Sequence, residues 1–529
     1  MKSICLVLIT CLLSVVQTLS QDTAGTGGRY HTIARGETLY RLTIMYGVTA
    51  QEICDANPGL SAENFKAGTI VLIPPAKPKT ETVSAPDTTI AVSTQKPLGL
   101  AGSPCKEMHK AKRKETLFSI AQKYGITLEW LQKANPETLR EGYALKKGDV
   151  LCIPFPPTDT IKKTLTEPTN TQLFEQTRKQ PRGMNIVRLA VILPFKARGS
   201  TQAKMLDFYR GVLMAVDSLK HGGTSFEIYA YSVDDKAENL NKILQQEELS
   251  RANIVFGPAD SAQIAAVSRY AKAHGMIHVN PFYRWSLETE NNPKFFTLNP
   301  PTRIQDSEAV KLLSSAFEGS NIVLLETGAR PNSIATRLRT DSLPHRNVEM
   351  PHTEKGLAEL IDPTRRNVLI PSSSDIKSLN VLMPLYLSMR RNHPEWDMCL
   401  VGYSEWQTYA GTLLEDFYKG DTYIFTPFFL KREDPVLKQL ESTYLNHFGK
   451  PMPTGYPRMT VYGYDCAMHF LSGMIHWGTD FDEESEYRNP LQHSFRMKRK
   501  TNWGGLENHF MQFIHYKTTH DIESITLPQ

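Results

Sequence analysis

HTIARGETLYRLTIMYGVTAQEICDANP, at residues 31–58, occurs a second time in this chain as HKAKRKETLFSIAQKYGITLEWLQKANP, at residues 109–136. The two copies agree at roughly 40% of their positions, without gaps. Repetition of a short unit within one chain indicates a duplicated structural module. We therefore take residues 29–74 as module 1 and residues 104–154 as module 2, and we expect both to have the same fold.

Each module has the sequence pattern of a strand, two short helices and a second strand. In module 1, Thr38 and Thr49 precede apolar positions spaced three or four residues apart, as the caps of two helices do. Gly47 lies between them at a position typical of a helix C-terminus, and Pro58 closes the second helix. A run rich in β-branched residues then ends at Ile73. Module 2 repeats these signals, so we predict the order βααβ in both modules.

This pattern resembles the LysM family in the order of its helix caps, turn glycines and terminal Ile-Pro. The residues that carry the likeness in module 1 are Gly36-Glu37-Thr38-Leu39, Tyr46-Gly47-Val48-Thr49, Asn57-Pro58 and Leu72-Ile73-Pro74. The resemblance implies binding of glycans that contain N-acetylglucosamine, above all peptidoglycan, in a shallow groove between two loops. Backbone amides and an apolar rim suit acetamido groups and need no catalytic side chain. The groove residues that the resemblance implies are Gly36, Glu37, Thr38, Leu39, Asn57, Pro58 and Gly59 in module 1, and Lys114, Glu115, Thr116, Leu117, Asn135, Pro136 and Glu137 in module 2.

The roles of these groove residues stay open in two respects. Thr38, Asn57 and their counterparts in module 2 also fit a purely structural role as helix caps. Lys114 stands where the family prefers glycine, at a position where a positive φ would disfavour a side chain. Two weak sites on one chain gain in avidity when the segment between them lets both engage.

Composition and the N-terminal segment limit the partners and the location of the chain. A net charge of +5 at pH 7 is too small to indicate a nucleic-acid partner. Residues 1–20 have the basic start, the apolar run and the small terminal residues of a secretory signal. Cleavage before Cys11 would leave an apolar run of only about eight residues, which favours a signal peptide over a lipid anchor. No later segment is apolar enough to span a bilayer, so we expect an exported, periplasmic, wall-associated protein with no transmembrane segment in its mature form.

Two cysteines and two low-complexity segments complete the N-terminal part. Cys105 precedes the first strand of module 2 and Cys152 lies in its last strand, so antiparallel pairing would bring the thiols together. An oxidising compartment would keep them bonded, and we predict this disulfide. The spacing of cysteine and histidine indicates no metal site, and nothing indicates a cofactor. Residues 75–103 and 155–183 are rich in Pro and Thr, and we expect them to be linkers.

From residue 184 the sequence changes to apolar strands that alternate with amphipathic helices. The first strand begins at Ile186, and the same pattern restarts at Asn321. Such alternation predicts parallel sheets covered by helices. We therefore predict a two-lobed α/β domain over residues 184–520, with a cleft between the lobes.

This domain resembles the type I periplasmic-binding fold, in particular its leucine/isoleucine/valine receptor branch. The residues that carry the likeness are Ala190-Val-Ile-Leu-Pro-Phe195, Phe208-Tyr-Arg-Gly-Val212, Val255-Phe-Gly-Pro-Ala259 and Val461-Tyr-Gly-Tyr-Asp465. Ligands of open α/β folds bind at the carboxyl ends of strands and at helix N-termini, so we predict a ligand cleft there. Its predicted residues are Phe195, Gly257, Pro258, Ser261, Asn280, Phe282, Tyr283, Ser372, Tyr403, Glu405 and Tyr462.

The receptor resemblance implies a small, amino-acid-like ligand. Ser261 would then contact its carboxylate and Glu405 its ammonium group. The stretch Asn280-Pro-Phe-Tyr-Arg-Trp285 replaces the small hydroxyl residues expected at this position. Its aromatic side chains favour core packing or contact with a partner protein over contact with a small solute.

The sequence contains no recognisable catalytic motif. HExxH, Walker A and GxGxxG spacings are missing, so we expect no enzyme. Two functions remain under consideration. In the first, the modules bind peptidoglycan and tether a receptor-like domain for a small ligand or a protein. In the second, the chain is a scaffold or regulator of peptidoglycan synthesis whose large domain binds a wall-synthesis protein. A third class, a wall hydrolase, would need catalytic residues that the sequence does not show.

Overall fold

The computed structural model describes residues 28–76, 105–113, 115–136, 145–154, 167–178, 182–481, 487 and 489–527. The predicted signal peptide, Cys11 and nearly all of the first predicted linker lie outside these residues. The described residues form two compact units. The first holds most of module 1, all that is described of module 2, and the chain to Thr177; the second holds Cys54–Ser61, Ile70–Leu72 and the chain from Arg178.

Both modules have the predicted βααβ order, and in each the two strands form a two-stranded sheet. Module 1 consists of β1 (Arg29–Thr32), α1 (Leu39–Tyr46), α2 (Ala50–Ala56) and β2 (Ile70–Ile73). Module 2 consists of β3 (Cys105–Lys110), α3 (Leu117–Tyr124), α4 (Leu128–Ala134) and β4 (Val150–Pro154). The prediction from the repeat is therefore confirmed for the order of the elements.

Local sequence fixes both ends of the first helix in each module. The Thr38 hydroxyl accepts a hydrogen bond from the backbone N–H of Arg41, and Gly47 ends α1 with a φ of 67°. Thr116 caps α3 in the same way, and Gly125 ends it with a φ of 66°. Glycine is favoured at such positive φ because it has no Cβ. The recurring Thr and Gly of the repeat are thus the boundaries of equivalent helices.

A helix that the sequence analysis does not anticipate lies in the segment assigned to the second linker. This helix, α5, spans Asn170–Thr177. It starts with a reciprocal pair of hydrogen bonds: Thr169 N–H donates to Gln172 Oε1 at 2.9 Å, and Gln172 N–H donates to Thr169 Oγ1 at 3.2 Å. Such a capping box stabilises the start of a helix. The segment 155–183 is therefore not a featureless linker over these residues.

The large domain alternates strands and helices, as predicted. Its strands are β5 (Ile186–Leu193), β6 (Ser225–Ser232), β7 (Ile254–Phe256), β8 (Ile277–Asn280), β9 (Phe295–Thr297), β10 (Asn321–Glu326), β11 (Arg346–Glu349), β12 (Asn367–Pro371), β13 (Met398–Gly402), β14 (Thr422–Thr426), β15 (Met497–Arg499), β16 (Leu506–Asn508), β17 (Gln512–Tyr516) and β18 (Ile522–Thr526). Its helices are α6 (Ser200–Lys220), α7 (Ala237–Leu244), α8 (Glu247–Ser250), α9 (Ser261–Ala273), α10 (Glu288–Asn291), α11 (Thr302–Ala316), α12 (Ser333–Thr340), α13 (Glu354–Ala358), α14 (Ile376–Asn392), α15 (Ala410–Lys419), α16 (Pro435–Phe448) and α17 (Met459–Trp477).

The domain has two lobes, each built around a seven-stranded sheet. The order in the first lobe is β15-β16-β9-β8-β7-β5-β6, and in the second it is β11-β10-β12-β13-β14-β17-β18. In each lobe five parallel strands follow the order 2-1-3-4-5 of a doubly wound α/β sheet. The prediction of a two-lobed α/β domain with parallel sheets is confirmed.

The C-terminal strands belong to both lobes. The chain passes from the first lobe to the second after β9, returns after β14, and passes again after β16. β16 pairs in parallel with β9, whereas β17 pairs antiparallel with β14. The last strand ends at Thr526, a few residues beyond the boundary at 520 that the sequence analysis places.

The sequence pattern of the large domain predicts one helix over 237–250 and another over 408–417, and both differ from the structure in their details. The helix expected over 237–250 is divided into α7 and α8, which Gln245 and Gln246 separate. The helix expected over 408–417 is preceded by a 3₁₀ turn over Ser404–Tyr409, and α15 follows it. In both cases the helical segments lie where the sequence predicts them, and only the residues at which the helices begin and end differ.

Helices α6 and α17 pack with their backbones in direct contact in the core of the first lobe. A Cβ atom on Gly211 of α6 would collide with the Thr460 carbonyl, and one on Gly463 of α17 would collide with the Phe208 carbonyl. Only glycine permits this approach. Both glycines belong to motifs that carry the receptor resemblance, so that resemblance reflects core packing at these positions.

Candidate functional site

A hydrogen-bond network holds the loop that precedes α1 in module 1. His31 Nδ1 lies 2.8 Å from the Tyr46 hydroxyl, and His31 Nε2 lies 2.7 Å from a carboxylate oxygen of Glu37. The same oxygen accepts the Ala34 N–H at 2.8 Å. Burial acts to raise the pKa of Glu37, but the bonds from Ala34 and His31 outweigh it and hold this pKa below its ordinary value. Glu37, a predicted groove residue, therefore shapes the loop.

Module 2 repeats this network residue for residue. His109 lies 3.0 Å from the Tyr124 hydroxyl and 2.9 Å from Glu115, which accepts the Lys112 N–H at 2.7 Å. The Lys112 N–H and then His109 lower the pKa of Glu115. The role of the histidine and the tyrosine was not recognised from sequence, although their recurrence at equal spacing was the available signal.

The predicted groove asparagines clamp the second helix of each module to the last strand. Asn57 Nδ2 donates to the Leu72 carbonyl at 2.7 Å, and Leu72 N–H donates to Asn57 Oδ1 at 2.8 Å. Asn135 makes the same pair of bonds with Cys152, at 2.7 and 2.6 Å. Both asparagine side chains are buried. The adjoining backbone and the neighbouring prolines are the parts of this loop that face outward.

The remaining groove residues differ in exposure. Gly36 and Pro58 are exposed in module 1, as are Thr116 and Pro136 in module 2. Lys114 and Glu137 lie outside the described residues. The backbone N–H groups of Leu39 and Gly59 donate to other parts of the same chain. The exposed positions of the two loops thus include a glycine, a threonine and both prolines.

Cys105 and Cys152 form a disulfide between β3 and β4 of module 2, with their Cα atoms 5.3 Å apart. The two strands pair antiparallel along their length. The disulfide therefore joins the start of module 2 to its end and restricts the unfolded chain.

The predicted cleft residues of the first lobe lie where its parallel strands end. Phe195 follows β5, and its ring lies 5.2 Å from that of Tyr209. Gly257 follows β7 with a φ of 89° and a cis peptide bond to Pro258, and Ser261 begins α9. These residues share one edge of the sheet, which is where open α/β folds bind ligands.

The Asn280–Tyr283 loop at this edge is held by its own side chains. Asn280 Nδ2 donates to the Tyr283 carbonyl at 2.8 Å, and Tyr283 N–H donates to Asn280 Oδ1 at 3.0 Å. Phe282 packs edge-to-face on Phe208, with ring centres 4.9 Å apart. The Tyr462 hydroxyl donates to the Pro281 carbonyl, and burial raises the pKa of Tyr462. The predicted aromatic residues Phe282 and Tyr462 thus fill the core.

The predicted cleft residues of the second lobe are largely buried as well. Ser372 Oγ accepts the Thr327 N–H at 3.1 Å, and the Tyr403 hydroxyl donates to the Pro371 carbonyl at 2.7 Å. Burial also raises the pKa of Tyr403. Glu405 lies exposed in the 3₁₀ turn. Its carboxyl group is therefore at the surface of the domain.

A cavity of about 620 Å³ lies between α11 and α12, in the second lobe. Burial raises the pKa of Asp306 in its wall, and the Ser333 hydroxyl donates to that carboxyl group at 2.8 Å. The cavity is lined by Arg303, Asp306, Arg330, Pro331, Ser333, Thr336, Arg337 and Thr340. None of these residues is in the predicted cleft, because α12 was not anticipated from sequence.

Among the residues that the structure describes, no group of His, Cys, Asp and Glu is arranged to hold a metal ion. Over the same parts of the chain, none of the helices has the length and apolar character needed to cross a bilayer.

Comparison with known proteins identifies the modules. Residues 31–74 and 109–154 match the LysM domain family. No curated protein matches the chain.

Three similar solved structures each align with about two thirds of the chain. LivJ of Streptococcus pneumoniae, in complex with isoleucine, is 13% identical over 65% of this chain and 99% of its own, with a TM-score of 0.36. A branched-chain amino acid transporter protein of Rhodopseudomonas palustris is 12% identical over 65% and 96%, with a TM-score of 0.41. Full-length LpoA of Haemophilus influenzae is 14% identical over 65% and 60%, with a TM-score of 0.42. Because these scores are low, we base the fold of the large domain on its strand order.

Proposed function

We propose that this chain, which carries two LysM domains ahead of a two-lobed α/β domain, binds peptidoglycan through N-acetylglucosamine and so tethers the large domain to the wall. The observation that carries the proposal is the family match of both modules, together with the hydrogen-bond frame that they share. This frame holds two loops whose exposed residues include Pro58 and Pro136, and apolar surface of this kind suits acetamido groups. The function is binding without catalysis.

The proposed location is the periplasm, in contact with the wall. A LysM domain meets its glycan only outside the cytoplasm, and a disulfide such as Cys105–Cys152 is maintained in an oxidising compartment. The N-terminal secretory pattern supports the same location. We propose a signal peptide over 1–20 in preference to lipidation at Cys11.

Co-sedimentation with purified peptidoglycan sacculi tests this proposal. The mature chain, 21–529, should pellet with sacculi, and a chain without 21–154 should stay in the supernatant. Microcrystalline cellulose, a glucan without acetamido groups, is the control polymer and should retain neither protein. Equal retention of both chains on sacculi would refute the assignment to the modules.

For the large domain, three exposed apolar residues close together in sequence support a protein partner. Tyr283, Trp285 and Leu287 are 39%, 54% and 55% exposed, although all three are large and apolar. They follow the Asn280 loop at the strand-end edge of the first lobe. Clustered exposed apolar residues mark interaction surfaces. This favours a scaffold or regulator of peptidoglycan synthesis, whose large domain binds a wall enzyme, over a receptor for an amino-acid-like solute.

Two measurements separate the scaffold from the receptor. A receptor should gain thermal stability with saturating free amino acids, because ligand that binds only the folded state stabilises it. A scaffold should show no such shift and should retain a purified peptidoglycan synthase. Trp285→Ala should weaken that retention, and Trp477→Ala, which removes a Trp that is 41% exposed elsewhere, should not. A saturable shift with an amino acid would favour the receptor.

A further inference from the structure

The cavity between α11 and α12, in the second lobe, has a basic and polar wall. Its volume of about 620 Å³ lies within the range of small-molecule sites, about 300–1,000 Å³. Among the described residues, three arginines line it, Arg303, Arg330 and Arg337, together with one carboxyl group, that of Asp306. Guanidinium groups donate to carboxylate and phosphate oxygens in a fixed fork geometry, so this wall suits a small solute with negative charge.

Helix α12 has one polar face, and this face lines the cavity. Four of its residues recur at spacings of three or four and belong to the cavity wall: Ser333, Thr336, Arg337 and Thr340. Positions at this spacing lie on the same side of a helix. Ala335 and Leu338, on the other side, are buried in the core of the lobe. The helix therefore separates an apolar core from a polar cavity.

The positive charges of the wall differ in how far they are balanced. Arg303 donates to Glu507 at 2.9 Å, and Arg337 lies 3.4 Å from Asp341. Arg330 is exposed, and it has no carboxylate partner among the residues that the structure describes. A guanidinium group without a carboxylate partner has its N–H donors available for the oxygens of an anionic ligand.

A fourth arginine, Arg284, reaches the same region from the first lobe. Its guanidinium group donates to Gln305 of α11 at 3.2 Å. Arg284 and Arg337 both act on the carboxyl group of Asp306, where their charges oppose the rise in pKa that burial causes. The Ser333 hydroxyl donates to the same carboxyl group at 2.8 Å. Guanidinium groups thus outnumber the carboxyl group in this part of the lobe.

We propose that this cavity is a binding site for a small solute with two or more carboxylate or phosphate groups, which Arg330 and Arg337 contact. The shared chemistry of the two ligand classes is a pair of anionic oxygens, which one guanidinium group can bind through two parallel hydrogen bonds. The site is independent of glycan binding by the modules. It also differs from the predicted cleft, because its residues lie on α11, on α12 and in the segment that precedes α12.

Calorimetric titration of the mature chain with citrate and, separately, with pyrophosphate tests this proposal, at an ionic strength held constant with sodium chloride. The wild-type chain should bind at least one of these probes saturably. Arg330→Ala/Arg337→Ala should bind it about tenfold more weakly or worse, because charge-assisted hydrogen bonds are lost. Arg391→Ala is the matched control, since Arg391 is exposed on α14 of the same lobe, and it should bind as wild type does.

Asp306→Asn is a second variant with the opposite expected effect. It removes the negative charge and keeps an oxygen that can accept the Ser333 hydroxyl. It should bind the probe roughly twofold to fivefold more tightly than wild type, because a carboxylate no longer competes with the ligand for the guanidinium groups. Weaker binding by this variant would overturn the proposal.

The two probes also distinguish the ligand classes. Binding of citrate alone would assign the site to carboxylates, binding of pyrophosphate alone would assign it to phosphates, and either result supports the proposal. No saturable binding of either probe, or equal affinity of the wild type and the double variant, would overturn it. If the double variant loses helicity by circular dichroism, Arg330→Ala alone replaces it and should still bind more weakly than wild type.

Discussion

Replacement of Gly211 by Ala should destabilise the large domain, because it forces α6 and α17 apart. The new methyl group would enter the space of the Thr460 carbonyl, and its next neighbour, the Tyr464 nitrogen, lies 2.8 Å away. Both obstacles are backbone, so they cannot rotate aside as a flexible side chain would. Overpacking of this kind costs roughly 3 kcal/mol, at the upper end of the usual range.

Part of this cost is offset within α6 itself. Alanine is a better helix former than glycine by about 1 kcal/mol in a helix interior. The expected net loss of unfolding free energy is therefore about 2 kcal/mol. Gly411→Ala is the matched control, because Gly411 also lies in a helix but a Cβ there would meet nothing within 4 Å. This control should be neutral or more stable by a few tenths of a kcal/mol up to about 1 kcal/mol.

Urea denaturation of the mature chains, followed by circular dichroism, measures the difference. Gly211→Ala should unfold at a lower urea concentration than wild type, and Gly411→Ala at an equal or higher one. If Gly211→Ala unfolds together with Gly411→Ala, the direct backbone contact between α6 and α17 is refuted.

Three further predictions concern stability. Asp465→Asn should cost about 1–3 kcal/mol of unfolding free energy, because the buried carboxylate accepts three backbone N–H groups and an amide would turn a donor towards them; a urea midpoint like that of wild type would contradict this. Burial lowers the pKa of His278 to about 4 and that of His469 to about 3. As pH falls from about 6.5 to 4, these histidines therefore bind protons in the unfolded chain before they do so in the folded one, and the folded state loses stability. For His278 the loss should reach about 3 kcal/mol. Burial raises the pKa of Asp465 to about 6, and this shift alone would make stability rise as pH falls from 6 to the ordinary pKa of an aspartate. The two histidines together outweigh this one carboxyl group. A melting temperature that rises from pH 6.5 to 4 would contradict the account. Reduction of the Cys105–Cys152 disulfide, which closes a separation of 47 residues, should cost module 2 about 4 kcal/mol, and no change in its protection from hydrogen exchange after dithiothreitol would contradict this.

The sequence predicts best those elements whose signal is local. The apolar runs over 321–326, 367–371 and 398–402 each predict a strand, and the structure has strands Asn321–Glu326, Asn367–Pro371 and Met398–Gly402 there. The helix ends at Gly47 and Gly125 follow from glycine at a positive φ.

Elements that depend on distant partners are harder to predict. Strand Leu506–Asn508 is short, and its place beside β9 follows from the return of the chain to the first lobe after β14, which no local pattern encodes. Helix α17 is buried over most of its length, so it lacks the polar face that marks an amphipathic helix. The contact of Asn170 with Leu39 depends on one side chain in a polar segment.

The candidate site also combines features that local sequence predicts with features that depend on distant partners. The repeat predicts a groove in each module, yet it does not reveal that the side chains of Asn57 and Glu37 bond to the frame of the module. In the large domain, position at a strand end was a sound guide to the edge of the sheet. It was a poor guide to exposure, since Tyr403 and Tyr462 end in the core.

The most direct test of glycan recognition is competition for sacculi by short sugars. The mature chain is first bound to purified peptidoglycan and then washed with N-acetylglucosamine oligomers or with cellulose oligomers of equal length. Release by the acetylated sugar alone is the result that the account predicts, because the proposed grooves would bind the acetamido groups that cellulose oligomers lack. Equal release by both sugars, or by neither, would contradict it.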